Sequence, residues 1–284
     1  MQFKTSSKKL AEMIKNMDKI KPYIKKGADI IADAISTLAA MMQKADHFPE
    51  ICNRSKCTFI GCAPKDRAIF SLESIPKIIE TVVKQAFDEV KKEDGTMQIA
   101  YTANRGTVSC NLITLEHVEL CEEPSLQNQQ DLKKAFYRCD RETVVNEAQR
   151  KYGAGKLIKS WFKNRTYTHV SNFETQIREQ EHNCGVHAGT LIGVECFMLF
   201  IATATKLTGK NIKLLWAALY ADDTSPLVRA SDMVEFQAAL DWAMRWAKQN
   251  GCEFHLHGEK GPTFTAYPKK GHEYPQEFDS LHLG

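Results

Sequence analysis

The sequence contains no run of about 18 apolar residues, the length a helix needs to cross a bilayer. Even Ile192 to Ala204 is cut by Glu195 and runs into Lys206 and Lys210, so no membrane span or membrane partner is expected. The N-terminus, MQFKTSSKKLAEM, lacks the apolar core of a secretory signal and carries Lys without Arg, unlike an Arg-rich presequence. Nine Cys, an odd number spread along the chain, do not form a disulfide framework. Reduced thiols and an intracellular location, cytoplasmic or nuclear, are the expectation. His47, Cys52, Cys57 and Cys62 recur every five residues, which is not the paired spacing of structural zinc sites. No Walker loop, nucleophile elbow or dinucleotide fingerprint is found. Internal repeats and compositional bias are absent too, which excludes a solenoid, a collagen or a disordered scaffold.

What the chain has is an ordinary globular composition, 43% hydrophobic over 284 residues, enough for a sizeable core. Its net charge is only +3, from 38 basic against 35 acidic residues, but the charge is uneven. Residues 1–26 hold eight Lys against Glu12 and Asp18, a local excess of +6. This basic N-terminal extension reads as a solvated helix face or as an arm that tracks phosphates.

Apolar residues recur at helical spacing in several windows. Residues 27–45 carry Ile30, Ile31, Ala34, Ile35, Leu38, Met41 and Met42. Residues 75–90 carry Ile78, Ile79, Val82, Val83, Phe87 and Val90. Further helices are predicted over 107–121, over 142–162 with a break at Gly153 and Gly155, over 193–206, and over 231–249 with Gly251 as terminator. Residues 46–72 are richer in turn formers and thiols, and 171–182 reads as a polar hairpin. Short strands are predicted at 214–220, 253–256, 263–267 and 280–283. Helices interspersed with short strands, outside any βαβ pattern, predict an α+β fold.

The sharpest local feature is Leu219-Tyr220-Ala221-Asp222-Asp223-Thr224, adjacent carboxylates directly after an apolar run. Neighbouring acids repel unless a cation sits between them, and hard carboxylate oxygens suit Mg²⁺. An Asp-Asp turn is the plain alternative. His255 and His257 alternate on a strand-like run, so both face one side, and no nearby acid or thiol completes a site with them.

Tyr220-Ala-Asp-Asp223, followed by Thr-Ser and an apolar pair, resembles the metal-binding hairpin of reverse transcriptases, particularly those of non-LTR retrotransposons. Other segments resemble the same family in the same order. Lys65-Asp-Arg67-Ala-Ile69, with Lys77 and Glu80 beyond, is similar to the fingers segment that meets the triphosphate. Tyr101 to Thr107 is similar to the next fingers motif. Asp131-Leu-Lys-Lys-Ala-Phe136 resembles the first catalytic strand, and Gly185 to Gly193 the glycine loop and helix under template and nucleotide, preceded by the similar segment Lys159 to Thr166. Gly251 to Lys260 resembles the palm segment after the hairpin, and Ser280 to Gly284 the start of the primer grip.

The resemblance covers about residues 60–284 and implies a right-hand polymerase without its thumb, with an antiparallel palm sheet packed on helices. Fingers are then expected over 27–124 and 151–183, and palm over 125–150 and 184–284. It implies RNA-directed DNA synthesis in a retroelement, with two Mg²⁺, for which Mn²⁺ substitutes, an RNA template, a DNA primer and deoxynucleoside triphosphates. Asp131 and Asp222 are the implied bridging metal ligands, with Asp223 auxiliary. Lys65, Arg67, Phe136 and Gly189 are the implied nucleotide-binding residues, and Lys260 the proton donor to pyrophosphate. Phe136 as a core aromatic and Lys260 as an exposed surface Lys are the alternatives. Nothing in the sequence sets the oligomeric state.

Several positions depart from the family pattern. Gln127 to Gln130 is polar where an apolar strand is usual and should make a poor central strand. His187-Ala188 stands in place of Pro-Gln, Tyr137 in place of a second acid, and Ala68 in place of Pro. A catalytically inactive relative that binds nucleic acid or protein is therefore the second reading. A viral RNA-dependent RNA polymerase is a third, although its glycine before the paired acids and its Ser-Gly…Asn loop are missing.

Overall fold

The computed structural model describes residues 7–17, 20–60, 67–91, 99–102, 104–169, 179–181, 183–205, 216–256 and 261–271. In chain order its elements begin with α1 (Ser7–Asn16), α2 (Pro22–Lys26), α3 (Ala28–Ala45), β1 (Arg54–Ile60), β2 (Arg67–Ser71), α4 (Ser74–Lys91) and α5 (Thr107–Leu120). They continue with β3 (Ser125–Asp131), α6 (Ala135–Arg138), α7 (Arg141–Tyr152), α8 (Gly155–Phe162), β4 (Thr166–His169), β5 (Glu179–Glu181) and α9 (Leu191–Thr205). Last come β6 (Trp216–Tyr220), β7 (Asp223–Arg229), α10 (Met233–Gln249) and β8 (Thr263–Tyr267). The expected α+β class is what the chain adopts. No described helix is long and apolar enough to cross a membrane.

The chain divides into two compact units, residues 1–94 with 140–199, and residues 95–139 with 200–284. In the first unit, β1 pairs with β2 antiparallel and with β4 parallel, and β5 continues the sheet in the order β2-β1-β4-β5. The helices supply most of its core. Ile78, Ile79, Val82, Val83 and Phe87 of α4 are buried as the periodicity predicts, whereas Val90 is exposed. Phe87 stacks on Tyr152, with ring centroids 4.4 Å apart, and Trp161 of α8 is wholly buried. Each such side chain contributes roughly 1.5–3 kcal/mol by leaving water. Gly153, at φ 64, ends α7 and lets α8 restart two residues later.

The described residues of the basic N-terminal segment are largely helical, in α1 and α2. Leu10, Ala11 and Ile14 of α1 are buried, and α1 lies against α3. The buried seam of α3 is Ala28, Ala32, Ile35, Ala39 and Met42. Ile30, Ala34 and Met41, expected inward, face outward. Helix α3 packs against α1, α2 and α4.

The second unit is built on an antiparallel sheet of order β6-β7-β3-β8. Its core, Leu126, Val228, Ala230, Phe236 and Leu240, joins β3 and β7 to α10. Helix α5 packs on β6. The polar strand β3, expected to be a poor central strand, is central here and pairs along its length with β8. Ser125, Gln127, Asn128 and Gln130 are all buried in it. Strands β7 and β8 pair with its main chain, and Gln127 Oε1 accepts from the Tyr267 hydroxyl at 2.7 Å.

Candidate active site

Strands β6 and β7 form a hairpin with Tyr220 paired to Asp223 and only Ala221 and Asp222 in the turn. Ala221 adopts φ 57, the left-handed region that the first position of many two-residue hairpin turns requires and that Gly normally supplies. The turn thereby carries Asp222 at its tip and Asp223 at the first position of β7. On the other side of β7, the register pairs Asp131, the last residue of β3, with Asp223. Directly opposed residues of an antiparallel pair share a face, with Cβ atoms about 4.5–5.5 Å apart. Two separated segments of sequence thus bring their acids to one end of one sheet.

Between Gln127↔Leu227 and Gln130↔Thr224 the β3–β7 register is interrupted, and Pro226, which has no N–H to give, lies in that gap. Beyond Asp131 the strand is clamped by the segment at 253–255. Lys133 N donates to Glu253 O at 2.7 Å, His255 N donates to Asp131 O at 2.9 Å, and Leu132 bridges Phe254. The Nε2 of His255 lies 3.9 Å from an Asp131 carboxylate oxygen. The fold thereby brings to His255 an acid from a distant part of the chain. Arg138 and Lys133 both pair with Glu253, at 2.9 and 3.5 Å, and hold the Glu253 carboxyl below the usual range, chiefly through the Arg138 hydrogen bond.

Two further groups flank the hairpin. Burial pushes the Tyr101 phenol up, and the charges of Asp222 and Tyr220 add to the effect. Burial likewise raises the Cys110 thiol, with Asp223 adding to it. Tyr101 itself sits at φ 58, unusual for so bulky a residue. The signal for Tyr101 in the sequence is the Tyr101–Thr107 motif, and Cys110 carries none. Phe136 lies on α6, five residues after Asp131, and is half-buried.

Among the described residues no three His, Cys, Asp or Glu side chains form a ready metal cage. The donor chemistry nevertheless fits Mg²⁺ or Mn²⁺. Mg²⁺ takes one or two carboxylates and completes its octahedron with water and substrate phosphate oxygens. Asp131, Asp222 and Asp223 are oxygen donors of that kind.

Arg67 and Gly189 lie in the first unit. Arg67 opens β2 and is exposed. Gly189, at φ 98, rests on the same strand: a Cβ there would come within 2.7 Å of Phe70 O and 2.8 Å of Ile69 Cγ2. Only glycine meets both the backbone angle and the space. Phe70 N donates to Ala188 O at 2.8 Å, so the loop and β2 are joined. Thr190 caps α9 by accepting from Gly193 N at 3.0 Å.

Beneath this loop lies a buried polar network. Glu80 accepts from Trp161 Nε1 at 2.8 Å and from Leu191 N and Ile192 N at 2.9 and 3.3 Å. Arg165 donates to Trp161 O, Cys52 O and His187 Nδ1, at 2.9, 3.0 and 3.3 Å. Burial pushes the Glu80 carboxyl up, opposed by Arg165 and by its hydrogen bonds. Burial pushes Arg165 down to about 10, opposed first by Glu80. Lys65, Lys260, the segment Ser280 to Gly284 and most of the polar hairpin expected at 171–182 lie outside the described residues.

A family model described as reverse transcriptase (RNA-dependent DNA polymerase) matches residues 56–260, a span of 205 of the 284 residues that includes Lys65, Arg67, Asp131, Phe136, Gly189, Asp222, Asp223 and Lys260. The chain belongs to the reverse transcriptase family. No curated protein matches this reverse transcriptase chain in sequence. Its fold is similar to that of telomerase from Candida tropicalis in complex with a TWJ fragment of telomeric RNA, with TM-score 0.56 at 11% identity over 83% of this chain and 45% of that one. The apo telomerase of the same organism, truncated from its C-terminal domain, gives TM-score 0.54 at 11% identity over 86% of this chain and 56% of that one. The chain spans about half the length of these proteins. The likeness shows the polymerase fingers and palm fold.

Proposed function

We propose that this chain is the fingers and palm of an RNA-directed DNA polymerase from a retroelement of the non-LTR kind, extending a DNA primer on an RNA template. The observation that carries this reading is the register of Asp131 with Asp223 on the sheet whose β6–β7 turn holds Asp222, inside the family match. The second sheet is then the palm floor, with the palm over 125–150 and 184–284 and the fingers over 27–124 and 151–183.

Asp131, Asp222 and Asp223 are the residues that would hold two divalent cations, which when bound activate the attacking 3′-hydroxyl and stabilise the leaving oxygens. Arg67 neutralises the triphosphate through charge-assisted hydrogen bonds, with Lys65 beside it in sequence. The Gly189 loop supports the incoming nucleotide. Phe136, half-buried after the Asp131 strand, underlies the sugar and disfavours a 2′-hydroxyl. Lys260 donates a proton to pyrophosphate. Nucleic-acid affinity falls by about one log unit per log unit of salt for each phosphate neutralised.

The test is primer extension on an RNA template with deoxynucleoside triphosphates and Mg²⁺ or Mn²⁺, for the chain alone and joined to a downstream thumb. Extension that disappears in Asp222→Asn supports the assignment. Failure to extend in both forms, with the protein folded and no Mn²⁺ bound, would sink it in favour of a non-catalytic member of the family. Preference for ribonucleotides would contradict the role given to Phe136.

A further inference from the structure

The network under the Gly189 loop is built from groups that are costly to bury. Glu80 and Arg165 are each 1% exposed. Apolar residues of similar volume would fill the same space without that desolvation. What apolar residues cannot supply is direction. One Glu80 oxygen takes the first two backbone N–H groups of α9, which helix geometry leaves without intrahelical partners. Its other oxygen takes Trp161 Nε1, so the start of α9 is tied to α4 and α8 at once.

Arg165 fixes the opposite side of the loop. Its guanidinium lies over Trp161 at 3.8 Å and reaches His187 Nδ1. The His187 ring stacks on Phe70 at 4.1 Å with a 5° interplanar angle. Residues 187–192 are therefore held at their N-terminal side through Arg165 and at their C-terminal side through Glu80. Gly189 sits between the two anchors, pressed on β2 three residues along from Arg67.

We propose that Glu80, with Arg165 as its counterpart, is a positioning residue that sets the Gly189 loop against the Arg67 strand and so presents the nucleotide-binding edge of the first unit. The proposal rests on the reading of Arg67 and Gly189 as nucleotide-binding. Gln at position 80 keeps the volume but turns an NH₂ toward N–H donors, leaving at least one of them without an acceptor. Lys at position 165 keeps charge but loses the fork that serves three acceptors.

The experiment compares the wild-type chain with Glu80→Gln and Arg165→Lys. It reads far-UV circular dichroism, amide hydrogen exchange, and the KM for deoxythymidine triphosphate with Mn²⁺ on a poly(rA)–oligo(dT) template-primer. The expected result is retained secondary structure, exchange at residues 187–192 accelerated by about tenfold or more relative to α4 and α7, and a raised KM with a smaller change in kcat. Exchange that rises equally in α4 and α7 would mean a merely structural pair and overturn the proposal. A wild-type KM that neither variant alters overturns it alone, whereas a wild-type chain that neither uses nor binds the nucleotide removes the underlying reading as well. If Glu80→Gln does not fold, the same readouts on Arg165→Lys decide.

Discussion

Asp131 at the end of β3 lies directly across from Asp223 at the start of β7. In a sheet held only by protein contacts this is a poor arrangement, because like charges in directly opposed positions destabilise the pair. The same juxtaposition becomes favourable once a divalent cation lies between them. Asp223→Asn should therefore raise stability by about 0.2–1 kcal/mol in the presence of EDTA. In Mn²⁺ the order should reverse, since the ion stabilises only the form that binds it. Urea unfolding with and without Mn²⁺ measures both effects. An unchanged order would mean that the carboxylates are not a cation site.

Asn128 and Gln130 are 0% and 3% exposed in the central strand of the second sheet. Among the described residues neither side chain has a hydrogen-bond partner, and Thr224 Oγ1, on the residue paired with Gln130, shares that state. Asn128 is flanked across β8 by Phe264, which packs on the Leu126–Phe236 core. Asn128→Leu should then stabilise the protein by about 1–3 kcal/mol, the usual cost of an unsatisfied buried polar group. Chemical denaturation is the measurement. A loss of stability would mean that ordered water satisfies Asn128 in solution.

These residues also explain which parts of the fold were legible in the sequence. Helices α4, α8 and α10 carry an apolar face and α9 is apolar almost throughout, so their positions follow from the apolar pattern, while α7 and the break before α8 are marked by Gly153. For α3 the buried seam differs in part from the stripe that its periodicity predicts, because it is set by the neighbours α1, α2 and α4, which lie outside the helix. Strand β1, RSKCTFI, has too little apolar alternation to stand out from the turn-rich region around it. Strand β3 is buried because β7 and β8 pair with it, a property of its neighbours rather than of SLQNQQD. The site divides in the same way. The adjacent carboxylates of the hairpin are a local signal, whereas the approach of His255 to Asp131 joins residues 124 apart in the chain.

The raised carboxyl of Glu80 has a consequence for stability against pH. Burial is the largest cause, so the folded state holds that proton to higher pH than the unfolded chain, where a glutamate titrates near about 4.3. The folded form binds more protons through this window, and stability falls as pH rises. The Glu80 contribution is thus fully present below the unfolded value and is lost as pH climbs toward and through the folded one. In Glu80→Gln this dependence is absent, leaving only a pH-independent offset from lost hydrogen bonds. The difference in Tm, wild type minus variant, should accordingly shrink as pH rises above about 4.3, the unfolded value. A thermal unfolding series across that range checks it. A difference that widens with pH would mean that Arg165 and the hydrogen bonds outweigh burial.

Ala221 carries a Cβ in a backbone region where L-residues other than Gly and Asn are disfavoured, at φ 57 in the turn between Tyr220 and Asp222. Pairing of Tyr220 with Asp223 leaves the turn two residues, which forces a positive φ on the first. Ala221→Gly relieves about 1 kcal/mol of strain, partly offset by the greater freedom that glycine gives the unfolded chain. Ala221→Val adds a β-branched side chain at the same angle and should destabilise by more than the glycine variant gains. Both values follow from urea unfolding. If the turn also sets how Asp222 is presented, Ala221→Val should weaken Mn²⁺ binding in the folded protein, measured by calorimetric titration, while a valine variant with unchanged Mn²⁺ affinity would confine the role of Ala221 to the hairpin itself.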